Sequence, residues 1–206
     1  MARYTGPKNS LARREHVDLG LKTPGSHAHA QLLKRLNIIP GSHSHRGKGK
    51  MSDFGLQLRE KQKAKRIYGV LEKQFRNYYE KALKVSGNTG EVLLQQLERR
   101  LDNILYRLSI APTRNLARQI VTHGHVCVNN QKVNIPSYQL QIDDVVSLTK
   151  RGMDIPAVSK LITEKPPALP DWLERVGPVG KMLHIPDRTH ITEEINEQLI
   201  VEYYSR

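Results

Sequence analysis

Between Glu91 and Leu148 the chain changes its hydrophobic period, and this change narrows the possible folds more than any other feature. Leu94, Leu97, Leu101, Leu105 and Leu108 recur every three or four residues, the spacing of one helix face. Asn88 and Glu91 form a capping-box-like start to that stretch. It breaks near Ser109 and Pro112. Thr113 then offers a cap to a short second helix with Leu116, Ala117 and Ile120 on its apolar face, and Gly124 ends it. From His125 the period falls to two. His125-Val126-Cys127-Val128 and Lys132-Val133-Asn134-Ile135 flank Asn129-Asn130-Gln131, a hairpin signal at residues that tolerate positive φ. Val145–Leu148 reads as a further strand. The stretch predicts helix, turn, helix and a small antiparallel sheet, an α+β arrangement.

The residues before it are helical or irregular. Residues 1–50 carry Gly, Pro, His and basic residues with little periodicity, predicting a loop-rich arm with one short helix near Gln31–Leu36. Ser52 or Asp53 offers the next cap. Ala64, Ile67, Leu71, Phe75, Tyr78 and Ala82 then follow the helical period, and Gly69 is expected to divide the stretch into two helices. Lys165–Pro170 reads as a linker, and the tail Ile195–Tyr203 is apolar enough to dock on another element.

Charge is as unevenly distributed as the period. The chain has 206 residues and a formal net charge of +13. Residues 1–85 hold 19 Lys and Arg against 6 Asp and Glu, whereas residues 86–206 hold 14 of each. A basic half of this kind suits a polyanion. On the helical stretch Arg59, Lys61, Lys63, Lys65, Arg66, Lys73 and Arg76 face only Glu60, Glu72 and Glu80, which favours a phosphate-facing surface over a solvated one. Further on, Arg114 and Arg118 are four apart, and Arg100 and Arg107 seven apart, so each pair shares a helix face. Two helices can hold these four guanidiniums in one plane, with His123, His125 and Lys132 near its end. Arg suits phosphate because its fork donates two parallel hydrogen bonds; two solubilising pairs are the alternative.

Several function classes fall away. Cys127 is the one cysteine, so intrachain disulfides and cysteine-based zinc sites are excluded. As a small hydrophobe in a strand it is expected half-buried or buried. The start Met-Ala-Arg-Tyr-Thr-Gly-Pro-Lys lacks the apolar core of a secretory signal, and no apolar run approaches the ~18 residues of a membrane span. No membrane partner is expected. Asp143 and Asp144 are adjacent in an extended stretch and point apart, a poor acid–base pair. No phosphate-binding Gly-rich loop, Gly-x-Ser-x-Gly or His-Glu-x-x-His motif is present, so no enzyme and no cofactor is expected. The pairs His27/His29 and His43/His45 raise a zinc site, although all-His structural sites are uncommon beside cysteine ones.

The stretch Arg100-Leu101-Asp102, Leu108-Ser109-Ile110-Ala111, Thr113-Arg114, Ala117-Arg118, Gly124-His125-Val126-Cys127-Val128-Asn129-Asn130, Pro136-Ser137, Asp143-Asp144 resembles a known RNA-binding domain. That domain is shared by small-subunit ribosomal protein four, some pseudouridine synthases and some tRNA synthetases. Ser109, Asn130 and Asp143 stand where its pattern has glycine. "MARYTGPK", "SDFGLQLREKQKAKRIYGVLEKQFRNYYEKA" and "INEQLIVEYYSR" are similar to the flanks of the small-subunit ribosomal protein four family, with departures in residues 9–45 and 151–192.

The resemblance implies a basic arm over 1–50 and a helical domain over 51–97 with 172–206. An RNA-binding domain is inserted at 98–171, with its core at 98–160. It implies a cytoplasmic constituent of the small ribosomal subunit that binds 16S rRNA directly, at a helix junction of the 5′ domain, early in assembly. Ribosomal proteins five and three and mRNA near its path into the subunit are the implied neighbours, the first with a bearing on accuracy. A free regulatory or rescue factor using the same domain is the alternative. Many relatives hold zinc in the arm with four cysteines; here the first two positions are Asn9 and Ala12 and no thiol stands near Ser26–Gln31, so the zinc-free form is implied. The RNA-contacting residues expected in the arm are Arg3, Tyr4, Lys8, Arg13, Arg14, His43, Arg46, Lys48 and Lys50. Those expected on the helices and hairpin are Arg59, Lys61, Lys65, Arg66, Lys73, Arg76, Arg100, Arg107, Arg114, Arg118, His123, His125 and Lys132. Replacing Arg114 and Arg118 together by Ala is expected to weaken binding and leave the fold intact.

Overall fold

A computed structural model describes residues 3–41, 50–164 and 169–206. The chain divides into two compact units, Met1–Leu93 with Glu193–Arg206, and Leu94–Thr192.

The first unit is helical. It contains α1 (Lys8–Glu15), α2 (His27–Lys34), α3 (Asp53–Ile67), α4 (Glu72–Ala82) and α10 (Glu197–Tyr204). The arm is therefore more helical than its irregular sequence suggests: the α2 cap is Ser26, which accepts from the His29 N–H, and α1 starts straight after Pro7. Ser52 caps α3 by accepting from the Gly55 N–H. Gly69 divides α3 from α4 at φ +63°, and Val70 N–H returns to the Lys65 carbonyl 3.0 Å away. Phe75, Tyr78, Tyr79 and Ala82 bury one face of α4. Tyr204 of α10 stacks on Tyr79, with ring centroids 4.7 Å apart. Asn196 caps α10 through the N–H groups of Gln198 and Leu199.

A polar clasp closes the same helices. Lys61 is buried, only 3% exposed, and donates to Glu72 at 2.7 Å while its ammonium lies 4.2 Å from the Tyr203 ring centre. Lys65 and the Tyr204 hydroxyl also donate to Glu72. Burial pushes the Glu72 carboxyl up, but the hydrogen bonds from Lys61, Lys65 and Tyr204 outweigh it and hold the group at about 2. Because the folded value lies below the unfolded one, the clasp stabilises above pH ~4.5 and is lost as pH falls toward 2. Glu72→Gln should therefore flatten the acid side of the stability profile between those limits, measured as urea midpoint against pH. The effect is modest, since the carboxylate is partly solvated.

The second unit joins helices to a sheet. The chain enters it along α5 (Thr89–Glu98), followed by α6 (Leu101–Arg107) and α7 (Arg114–Thr122). Next come β1 (Val126–Val128), β2 (Gln131–Lys132), β3 (Val145–Leu148), α8 (Lys150–Met153), α9 (Pro156–Thr163), β4 (Leu173–Val176) and β5 (Val179–Met182). The sheet order is β2-β1-β3-β5-β4 and every pairing is antiparallel. The expected α+β class is what the chain adopts. Leu101, Leu105, Leu108, Ile120, Val126, Val146, Trp172 and Met182 are among the residues of one buried core.

One expected domain boundary is corrected. Residues 172–192 were grouped with the helical domain, yet Val146 pairs with Gly180, which places β4 and β5 in this sheet. The overlooked signal is "LERVGPVGKM", two alternating runs around Gly177, which turns at φ +58°. Leu108 explains why residue 180 is glycine: its Cδ1 lies 2.3 Å from where a Cβ would stand. Pro156 starts α9 at its first position, an element for which the sequence reading gave no expectation.

The three glycine replacements leave the turns in place. Ser109, Asn130 and Asp143 sit at φ +54°, +65° and +67°, the left-handed region. Asn and Asp tolerate it; serine does so at greater cost. Ser109→Gly should stabilise this unit by up to about 1 kcal/mol, read from urea unfolding.

Candidate nucleic-acid interface

The four arginines of the α6–α7 pair turn inward. Arg100 is 2% exposed and donates from Nε and Nη2 to both oxygens of Asp102, at 3.1 and 2.9 Å. Arg118 Nη1 donates to the same carboxylate at 3.1 Å. Arg107 grips Glu98 with two bonds of 2.9 and 2.7 Å. Asn103 donates to Glu98 at 2.7 Å and accepts from Arg114 Nε at 2.7 Å. The Arg114 guanidinium also lies 4.3 Å over the Tyr106 ring.

These positions correct the expected phosphate-facing plane. Glu98 and Asp102 fall four residues apart and are both buried, and buried carboxylates need cationic partners. Arg100 and Arg118 supply them to Asp102 and Arg107 to Glu98, while Arg114 is joined to Glu98 through the Asn103 amide. Arg114→Ala would thus disturb the fold, contrary to the expectation that it leaves it intact.

Several solvent-facing cations of this unit lie instead near the end of α7. His123 N–H bonds to the Gln119 carbonyl, and Gly124, at φ +69°, turns the chain so that His125 N–H reaches back to Ile120. The two imidazole centres are 6.1 Å apart. Lys132, exposed on β2, lies across Gly124, with Cε 2.5 Å from where a Cβ would stand. The His125 carbonyl accepts from Thr149 N–H at 2.9 Å and packs on Gly152, which brings in Lys150 and Arg151 of α8, both exposed. Sequence reasoning missed Lys150 and Arg151. Their signal was a basic pair directly after a strand, in "SLTKRG".

In the helical unit the expected cations divide in a similar way. Arg59 and Arg66 both bind Glu15, whose side chain is 3% exposed. Burial lowers the Arg66 guanidinium, against the opposing pull of Glu15. Lys61 and Lys65 belong to the Glu72 clasp, so Lys61 in particular is a correction: it is in the interior. Arg13 holds the Ile38 carbonyl at 2.8 Å, tying α1 to the segment after α2. Arg76 pairs with Glu80 on the same helix and remains open to solvent, as does Lys73. Arg3, Tyr4, Arg14 and Lys50 are exposed. Half-buried Lys8 is lowered by burial and then by the charges of Lys22 and Arg3, which marks a local concentration of cations that includes the unanticipated Lys22. His43, Arg46 and Lys48 lie outside the described residues, as does His45.

Other candidates resolve simply. His29 Nε2 meets Asp18 at 2.7 Å, while His27 is exposed. Tyr68, Tyr78 and Tyr79 are core residues, whereas Tyr4 is 48% exposed. Cys127 is half-buried, opposite Lys132 and Ser147, with Val126 and Val128 buried on either side. Among the described residues no helix is long and apolar enough to cross a membrane.

Comparison with known proteins bears directly on these surfaces. Residues 3–98 match the ribosomal protein S4/S9 N-terminal domain and residues 99–146 the S4 domain. The chain is 49% identical over 208 residues to small ribosomal subunit protein uS4 of Bacteroides fragilis, and 46% identical over 209 residues to that of Thermodesulfovibrio yellowstonii. The uS4 protein of Hahella chejuensis is 49% identical over 213 residues. In each comparison the whole of both chains is covered. Matched by these two domain models and similar to these relatives from end to end, the chain belongs to the small-subunit ribosomal protein uS4 family, RNA-binding constituents of the ribosome and not enzymes.

Proposed function

We propose that this chain binds 16S rRNA directly, at a helix junction of the 5′ domain, and nucleates assembly of the body of the small subunit. The end-to-end identity with small ribosomal subunit proteins carries the reading. Two surfaces support it: the edge formed by His123, His125, Lys132, Lys150 and Arg151, and the cluster of Arg3, Lys8 and Lys22 in the helical unit. Folded rRNA is read through shape, 2′-hydroxyls and phosphates, and cations that reach the surface suit that mode. Ribosomal proteins five and three and mRNA near its path into the subunit are the proposed neighbours, with a role beside protein five in accuracy.

Footprinting of the isolated 5′ domain with the purified protein tests the reading. Protection should cluster at one helix junction. Log affinity should fall with log salt at a slope near −6 to −8, the value for roughly 8–12 neutralised phosphates. A slope near zero, or protection spread evenly over the domain, would sink it. Retention on small subunits through high-salt sedimentation separates this function from that of a free regulatory factor.

A further inference from the structure

Histidine is unusual among cations in that its charge appears only as pH falls through the range of 5 to 8. Two of the five side chains of this edge are histidines; Lys132 lies across Gly124 between them, and α8, which carries Lys150 and Arg151, packs its Gly152 on the His125 backbone. Lys132 comes from β2, Lys150 and Arg151 from α8, and Arg118 from α7 itself, where it is bound to Asp102. Asp154, at the C-cap of α8, is the carboxylate on these elements. Neither imidazole is sealed in the core: His123 is exposed and His125 half-exposed. A phosphate seated against this edge would add two negative-oxygen acceptors to a setting where cations dominate. That favours the imidazolium, which donates from both ring nitrogens, over the neutral ring, which donates from one.

We infer that the edge formed by His123, His125, Lys132, Lys150 and Arg151 is a proton-linked phosphate site, taking up protons at its two histidines when RNA phosphate binds. The inference rests on the RNA-binding reading and adds a regulation to it: affinity for rRNA tightens as pH falls. Each step is a proton moving from solvent to an imidazole nitrogen, with no other bond made or broken. By linkage, a ligand that binds the protonated form better raises proton occupancy, and protons raise its affinity in return.

The test is calorimetric titration of the full chain with a 5′-domain rRNA fragment near pH 6.5, in two buffers of different ionisation enthalpy. The difference between the two apparent enthalpies gives the protons exchanged. Net uptake of up to about two protons per complex is expected, with affinity about tenfold higher at pH 5.5 than at pH 8. His123→Gln with His125→Gln should abolish the uptake and flatten the pH dependence. Independently, Lys150→Gln with Arg151→Gln should make the salt slope shallower by about 1.5. Binding without proton uptake, or uptake undiminished in the double histidine variant, would overturn the inference and leave the RNA-binding reading standing. Failure to bind the fragment at any pH would overturn both. A salt slope unchanged by the Lys150 and Arg151 substitutions would remove α8 from the site.

Discussion

Asp102→Ala should destabilise the sheet-containing unit by about 3–5 kcal/mol, the cost of leaving buried charge without its partner. Asp102 serves two guanidiniums at once: Arg100 with both oxygens and Arg118 with one. The Arg100 side chain is only 3% exposed and that of Arg118 12%, so water cannot readily replace the carboxylate. Unfolding in urea, followed by tryptophan fluorescence, checks this cleanly. The chain has one tryptophan, Trp172, and it is buried in the same unit. Asp102→Asn should recover part of the loss, because an amide oxygen still accepts a hydrogen bond while the charge is gone. A loss below about 1 kcal/mol for the alanine variant would mean that the pair behaves as a solvated surface bridge.

The second large effect is expected from Trp172→Ala, at about 3–5 kcal/mol. Trp172 is 1% exposed and lies in the core with Leu173 and Met182, and its carbonyl accepts from the Leu183 N–H at 3.0 Å. A single domain rarely holds more than 5–15 kcal/mol, so the variant would sit close to its unfolding limit. Hydrogen exchange locates the damage. Amides of β1, β3 and β5 should lose protection, while those of α3, α4 and α10 keep theirs. Equal loss in the helical unit would contradict the assignment of Trp172 to the sheet-containing unit.

What could be read from the sequence follows from which physical signals are local. The switch from Leu101, Leu105 and Leu108 to Val126 and Val128 is a change of period, and the helix–turn–helix and hairpin follow from it directly. Gly69 and Ser52 announced their turn and cap in the same way. The arginines were misread for a different reason. Periodicity shows that Arg114 and Arg118 share a face, but not whether that face meets water or carboxylate. The answer lay in Glu98 and Asp102, whose burial is a tertiary fact. The β4–β5 hairpin was missed because the Pro-rich stretch before it reads as a boundary, whereas its partner strand β3 lies more than thirty residues earlier in sequence. Lys150 and Arg151 become part of the cationic edge only because Gly152 lets α8 pack on the His125 backbone.

Arg107 holds more than Glu98. Its Nη1 also donates to Thr192 at 3.2 Å, so one guanidinium joins the residues where the chain enters and leaves the sheet-containing unit. The helical unit is made of two segments separated by that whole unit, and its closing contacts span long distances in sequence: Gln57 bonds to Glu202 across 145 positions. Loop closure over such a span is entropically costly, and the cost grows with the logarithm of loop length. Once the inserted unit has folded and Arg107 has tied its ends, the effective loop shrinks to roughly a third. That lowers the closure cost by about 1 kcal/mol. If the inserted unit folds first, the span left to close between α3 and α10 is the shorter one, and Arg107→Ala should slow closure of the helical unit in refolding experiments.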